Sequence, residues 1–237
     1  MNAHTLFVVP IRDKIEAYYG KIAGDVPWRY RSWEHCFGFF RRITPGGLAA
    51  QRDNAAIQLG FYLASWGMYR ASSFLLQYDY TVHLAVIDRF GDPKFSPLWE
   101  RDFGAARSDV ELVPLIFSAI DAVRESYKPF RNATDTLVTK VILGTFGCLP
   151  ACDRFFISGF RIAGFQYSYF NQNFVRRILE FCGQNFDEIR AEQARIKSVS
   201  GLHYPLMKLV DMYFWQIGYE RWKALHASAA DEPIPPD

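Results

Sequence analysis

The chain has 237 residues, of which 50% are hydrophobic and 17% are aromatic. A chain of this length and apolar content buries one sizeable core, so we expect one domain over residues 1–227 and a disordered tail over 228–237, which ends E-P-I-P-P-D. The formal net charge of +2 is too small to indicate a nucleic-acid-binding protein by itself.

The sequence shows neither a basic leader followed by a long apolar run nor a stretch apolar enough to span a membrane. Its four cysteines are scattered, mostly inside apolar runs, and are typical of reduced core thiols. These features predict a cytoplasmic protein without a membrane partner. Cys148 and Cys152 have a spacing that a metal could use, but no second Cys/His pair completes the set, so we expect neither a metal nor another cofactor.

Apolar residues recur at helical spacing along the whole chain, and no run shows the alternation typical of a strand. We therefore predict an all-α fold, a single compact multi-helix domain of roughly eight to ten helices. The main expected helices are Phe7 to Gly20, one capped by Ser32, a long one from Arg52 to about Arg89 with a break near Arg70, one near Ser108 and Glu111, one from Gln166 to Cys182, and one from Pro205.

Two helices carry more specific expectations. The small residues Ala56, Gly60, Ala64 and Gly67 lie along one face of the helix from Arg52 to Arg70. Because bulky residues surround this stripe, we expect a central helix that is buried on several sides. The segment from Phe186 to Lys197 is highly charged and weakly amphipathic, so we expect it to be solvated.

The stretch from Thr134 to Arg161 combines an apolar helix, a Gly/Pro break and an isolated acidic residue. Thr134 or Thr136 can cap the first helix, and Gly147 can end it. Pro150 suits the first position of a following helix, whose opening turn carries Asp153. The carboxylate is then near the positive end of a helix dipole, with aromatic residues behind it.

This order of elements resembles that of the helix-hairpin-helix DNA glycosylases, in which a helix ending in a Gly/Pro segment leads into a helix that begins with the catalytic aspartate. The matching residues are Val141, Leu143, Thr145, Phe146, Gly147, Pro150 and Asp153. The resemblance implies a protein that acts on DNA, with Asp153 as the carboxylate that stabilises the oxocarbenium-like sugar or activates water while a flipped base leaves. It also implies that Lys140 and Arg154 are neighbouring cations that contact the substrate.

Two features depart from the family's pattern. Residues 132–135 lack the glycine-rich hairpin through which the family's backbone amides hold a DNA phosphate. Lys140 lies within the helix rather than at the exit of the hairpin, so the resemblance implies a monofunctional hydrolase rather than a Schiff-base lyase. A structural alternative remains open, in which Asp153 only caps a helix and Arg154 is its ion-pair partner.

Two further sets of residues are candidate binding sites. Arg70 and Ser72, with Tyr78 and His83 downstream, could form the wall of a pocket in which the guanidinium binds a phosphate or a carboxylate. The alternative is a structural arginine that satisfies the carbonyls at a helix end.

The second set is Arg29, Arg31, Arg41 and Arg42, interleaved with tryptophan and tyrosine residues. This pattern could neutralise the backbone of DNA or RNA and stack its bases. Its alternative is an aromatic core helix with a cationic outer face.

Two functions therefore remain open. The first is a nucleic-acid-acting protein, a monofunctional DNA-glycosylase-like hydrolase that uses Asp153. The second is a non-enzymatic helical interaction protein, a homodimer or a partner in a bacterial stress or defence system, suggested by the excess of aromatic residues.

Overall fold

The computed structural model describes residues 9–23, 27–43 and 46–226, and the predicted tail at 228–237 lies outside this part of the chain. Within these ranges the chain forms eleven α-helices and no strand, so the all-α class is confirmed. The helices are α1 (Ile11–Ala23), α2 (Arg31–Ile43), α3 (Arg52–Ser65), α4 (Leu84–Phe90), α5 (Ser96–Glu100), α6 (Val113–Tyr127), α7 (Asp135–Gly144), α8 (Arg154–Ile162), α9 (Gln172–Gln184), α10 (Phe186–Ser200) and α11 (Leu206–Leu225).

The long helical segment from Arg52 to about Arg89 is interrupted near Arg70, as expected, but the break is wider than predicted and runs from Trp66 to His83. Helix α3 ends at Ser65, and the chain then turns through Gly67 (φ +79°) and Ala71 (φ +52°), which no right-handed helix accommodates. Short 3₁₀ turns at Phe74–Gln77 and Tyr80–His83 lead into α4. The helix that the sequence did not lead us to expect is α5 (Ser96–Glu100), so the helices in the described ranges outnumber the expected eight to ten.

Two continuous buried stretches form the centre of the molecule. Every residue from 137 to 153 is buried, and so is every residue from 204 to 218. The first stretch follows Thr134, whose hydroxyl caps α7 by accepting a hydrogen bond from the Leu137 amide at 3.2 Å, as predicted. The second stretch contains the first thirteen residues of α11, whose long apolar sequence buries it on all sides.

Helices α8 and α11 pack closely because glycines meet where they cross. A Cβ built at Gly159 would overlap the backbone carbonyl of Phe214, and one built at Gly218 would overlap the carbonyl of Phe155. Only glycine allows the two backbones to approach this far. The crossing holds the start of α8, and therefore Asp153, beside the first half of α11.

Three other expectations need correction. Helix α3 is exposed on one face, where 44% of the surface of Ile57 and 56% of that of Phe61 is accessible to solvent. Its other residues pack against α2 and α4. Helix α10 is partly buried, because it packs against α1 and α11 and its residues Ile189, Gln193 and Ile196 are buried. Helix α9 begins at Gln172 rather than Gln166, because Asn171 caps it through the Phe174 amide.

None of the helices in the described ranges is both long enough and apolar enough to cross a membrane.

The close contact of α8 with α11 at Gly159 predicts that a glycine-to-alanine change there lowers the stability of the protein far more than the same change elsewhere. We expect Gly159→Ala to destabilise the protein by about 1–3 kcal/mol or more, because the added methyl group forces α8 away from α11. Gly183→Ala is the matched control, since Gly183 lies in α9 with no atom near its missing Cβ, and we expect this change to be neutral or stabilising by up to about 1 kcal/mol. Urea unfolding measures the free energy of unfolding of both variants. Equal values would contradict the close contact of α8 with α11.

Candidate active site

Asp153 is the residue immediately before α8, and its side chain is 98% buried, since only 2% of it is exposed. Its Oδ1 atom accepts a hydrogen bond from the Phe156 amide at 3.0 Å, which caps the helix. Its Oδ2 atom lies 3.4 Å from Nζ of Lys140, which projects from α7. Pro150 therefore lies before the helix rather than in its first turn, which corrects that prediction.

A second buried ion pair lies against the same break between α7 and α8. Lys208 and Asp211 lie one turn apart on α11, with their Nζ and Oδ2 atoms 2.8 Å apart. The other carboxylate oxygen of Asp211 accepts a hydrogen bond from the Ala151 amide at 3.0 Å. Asp211 thereby fixes the backbone two residues before Asp153.

The two ion pairs surround a small cavity of about 10 Å³, a volume close to that of one water molecule. Two lysines and two aspartates line it, so its formal charge is zero, and the rest of its wall is apolar or aromatic. The described residues that line it are Tyr62, Trp66, Lys140, Leu143, Ala151, Asp153, Lys208, Asp211 and Trp215.

Aromatic rings enclose this charged cluster. Nζ of Lys140 lies 5.4 Å from the ring centre of Trp66, and Nζ of Lys208 lies 4.9 Å from that of Tyr18. The indole N–H groups of Trp66 and Trp215 are buried and have no hydrogen-bond partner among the described residues. Buried donors of this kind are unusual, because a missing hydrogen bond costs about 1–3 kcal/mol.

Two cations cover the outer side of the same rings. Nζ of Lys21 lies 5.1 Å from the ring centre of Trp215. It donates a hydrogen bond to Oε1 of Gln216 at 2.6 Å. The guanidinium of Arg29 lies 5.0 Å from the ring centre of Trp66. Burial lowers the pKa of Lys21 to about 7, even though Glu220 opposes this change.

The second ion pair predicts strong coupling between its members. Lys208→Met leaves the buried carboxylate of Asp211 without its cation, so we expect a loss of about 3–5 kcal/mol in the free energy of unfolding. Adding Asp211→Asn removes the uncompensated charge while keeping an acceptor for the Ala151 amide, so we expect the double variant to recover part of this loss. Denaturant unfolding of the two single variants and the double variant measures the coupling, and strictly additive losses would contradict it.

The other predicted substrate-binding residues lie in different places. Arg70 and Ser72 line a cavity of about 470 Å³, and Ser72 and Tyr78 line an adjoining one of about 400 Å³. Arg154 is exposed, with its guanidinium 4.4 Å from the ring centre of Phe155. Of this predicted set, Lys140 is the residue that lies at the Asp153 cavity.

His83 is buried away from these cavities and links two tyrosines. Its Nε2 atom lies 2.6 Å from the Tyr69 hydroxyl, and its Nδ1 atom lies 2.7 Å from the Tyr127 hydroxyl. A neutral imidazole satisfies both contacts, since one ring nitrogen donates and the other accepts. Burial lowers the pKa of His83 to about 4.

This lowered pKa predicts that His83 destabilises the fold in weak acid. The unfolded chain binds a proton at this residue below its ordinary pKa of about 6.5, whereas the folded chain resists protonation down to about 4. Stability is therefore lost as the pH falls through this window, by about 2 kcal/mol between pH 7 and pH 5. We expect His83→Gln to show a pH dependence weaker by this amount in urea unfolding, and identical pH dependences of the two proteins would contradict the assignment.

The four predicted backbone-contacting arginines do not form one stripe. Arg31 and Arg42 line a groove of about 810 Å³, at which the exposed side chains of Ile57 and Phe61 also lie. Arg41 donates to the carbonyl of Trp99. Arg29, as described above, covers the aromatic rings around the Asp153 cavity.

All four cysteines are buried and unpaired with one another, and burial raises the pKa of each thiol. Within the ranges that the structure describes, no three or more His, Cys, Asp or Glu side chains are grouped so that they could hold a metal ion.

Sequence reasoning missed Lys208 and Asp211 at the first cavity and Arg131 at the second. The signal for the first two was present, because they are the only charged residues in the apolar run from 204 to 218. Charges inside such a run are expensive to bury unless they are paired. Their spacing of three predicts that they pair with each other, but nothing local indicates that they meet Asp153.

Comparison with known proteins found no matching family model, no matching curated protein and no matching solved structure.

Proposed function

We propose that the chain is a nucleic-acid-acting hydrolase that cleaves an N-glycosidic bond, with Asp153 as its catalytic carboxylate. The observation that carries the proposal is the placement of Asp153: a buried carboxylate at the start of α8, 3.4 Å from a buried lysine, in a cavity walled by tryptophans. The local resemblance of Val141 to Asp153 to helix-hairpin-helix DNA glycosylases supports the same assignment.

The chemistry of this bond suits the groups that surround the cavity. As the C1′–N bond breaks, its electron pair leaves with the base and positive charge develops on the sugar. A carboxylate in an aromatic, water-poor site stabilises that charge more strongly than one in bulk water. Asp153 then accepts a proton from the water whose oxygen bonds to C1′. A proton passes through solvent to the nitrogen of the released base, and Asp153 loses its own proton to solvent, so the carboxylate is ionised again.

The aromatic wall has the properties needed to bind a nucleobase. The faces of Trp66 and Trp215 can stack on a planar base, and their indole N–H groups, which lack partners among the described residues, can donate to its acceptors. Lys140 and Lys208 keep the two aspartates charge-balanced when no cationic sugar is present.

A base does not fit into a cavity of about 10 Å³, so the proposal requires the site to open. The side chains that cover the rings from outside are those of Lys21 and Arg29. Both are partly exposed and have flexible side chains, so they can move without disturbing the core. Many enzymes open to admit their substrate and then close over it, which excludes water from the reaction.

The proposal predicts that Asp153→Asn abolishes base release, with circular dichroism checking that the variant, in which Lys140 loses its buried counter-ion, is folded. Asparagine retains an oxygen that can accept the Phe156 amide but removes the negative charge, so we expect the single-turnover rate to fall by about 100-fold or more. The measurement is base release from a panel of DNAs carrying modified bases. Asp109→Asn is the matched control, because Asp109 is another buried carboxylate that accepts backbone amides, at Gly104 and Ala106, and it does not line the cavity.

Equal rates in the wild-type protein and Asp153→Asn would remove Asp153 from the mechanism. Wild-type protein that released no base from any DNA in the panel, and that formed a dimer in light scattering, would favour the interaction protein instead. The exposed Ile57 and Phe61 on α3 would then be the first residues to test at the dimer interface.

A further inference from the structure

The turn after α3 and the segment that leads into α7 enclose a second cavity, separate from the one at Asp153. Its volume is about 470 Å³, and Arg70 from the first segment and Arg131 from the second both line it. None of the described residues that line it is acidic, and the nearby carboxylate of Asp135 lies 2.7 Å from Arg124. The two arginines are thus the charged residues of its described lining, and Ser72 and Asn132 add polar groups to its wall.

The two walls are tied together. The guanidinium of Arg131 donates to the backbone carbonyl of Ser72 at 3.2 Å, which links the segment before α7 to the turn after α3. The side chain of Arg70 lies against Gly67, where any Cβ would overlap the guanidinium. Gly67 also has φ of +79°, so a larger residue is excluded there on two grounds. These contacts hold both arginines at one opening.

An adjoining cavity of about 400 Å³ shares Ser72 and Arg131 with the first and extends to Tyr78 and Phe130. These two rings pack edge to face, with their centres 4.7 Å apart. Each remains well exposed, Tyr78 at 42% and Phe130 at 40%. Exposed aromatic rings beside paired arginines are the combination that binds a single nucleic-acid strand, because rings stack on bases and guanidinium groups bind phosphates.

We propose that these adjoining cavities bind one nucleotide unit of a single strand, with its phosphate between Arg70 and Arg131 and a base on Tyr78 and Phe130. The choice of a nucleic acid over other phosphate compounds rests on the proposed function. This site lies next to the Asp153 cavity. Gly67 lines the cavity that contains Arg70 and Arg131, and the carbonyl of the preceding residue, Trp66, accepts a hydrogen bond from Lys140 at 3.4 Å. A bound strand would thus run past the Asp153 site.

The test is the binding of a fluorescently labelled single-stranded oligonucleotide, measured by anisotropy over a range of salt concentrations. We expect Arg131→Gln to weaken binding and to reduce the slope of log K against log salt by about 1, because one phosphate contact is lost. We expect Tyr78→Ala to weaken binding about tenfold at every salt concentration, because it removes stacking rather than charge. Both residues are exposed, and circular dichroism checks that each variant is folded.

Arg176→Gln is the matched control, because Arg176 lies on α9 and contacts only neutral side chains in the described contacts, those of Gln172 and Asn173. We expect it to bind as the wild type does. Oligonucleotide binding by the wild-type protein without release of any base would contradict the proposed function and leave this site in place, so that the two failures are distinguished. Wild-type affinity in Arg131→Gln, or an equal loss in Arg176→Gln, would overturn the proposal. Binding of inorganic phosphate without binding of any oligonucleotide would overturn its assignment to a strand.

Discussion

The Lys140–Asp153 and Lys208–Asp211 ion pairs place four formal charges inside an aromatic core. A single charge would be strongly unfavourable in this core. The burial of each charge therefore depends on its ion-pair partner, and that of the aspartates also on the hydrogen bonds that they accept from backbone amides. Because Asp211 binds the Ala151 amide and Asp153 binds the Phe156 amide, the same carboxylates also fix the break between α7 and α8. Electrostatic neutrality and backbone geometry are thus satisfied by the same atoms.

This arrangement depends on how closely the helices pack. The glycines at 159 and 218 let α8 and α11 approach until backbone meets backbone, which brings the start of α8 to the lysine and aspartate of α11. In proteins generally, the replacement of a buried ion pair by apolar residues of similar volume is often neutral or stabilising. Stability alone therefore does not account for four charges in so apolar a core, and the proposed function gives this cluster a chemical role in addition to its structural one.

Local signals were sufficient for part of this picture. The cap at Thr134, the apolar run after it and the carboxylate at the next helix start could all be predicted, because each depends on residues a few positions apart. The pairing of Asp211 with Ala151 could not be predicted, because the two are 60 residues apart and only the packing of α11 joins them. Likewise, the small stripe on α3 did not reveal which face of that helix stays exposed. The cavity between Arg70 and Arg131 joins two loops, and loops carry no periodic signal from which their neighbours can be inferred.

In the proposed function, the Asp153 carboxylate faces the sugar of a nucleic acid once the cavity between Trp66 and Trp215 has opened. A crystal structure with an oligonucleotide that carries a cationic pyrrolidine in place of one sugar measures this directly, because the charged ring nitrogen mimics the developing cation. The account predicts that nitrogen within ion-pairing distance of the Asp153 carboxylate, with the side chains of Lys21 and Arg29 moved away from the rings of Trp215 and Trp66. A pyrrolidine bound elsewhere, with the Lys140–Asp153 contact and the small cavity unchanged, would contradict it.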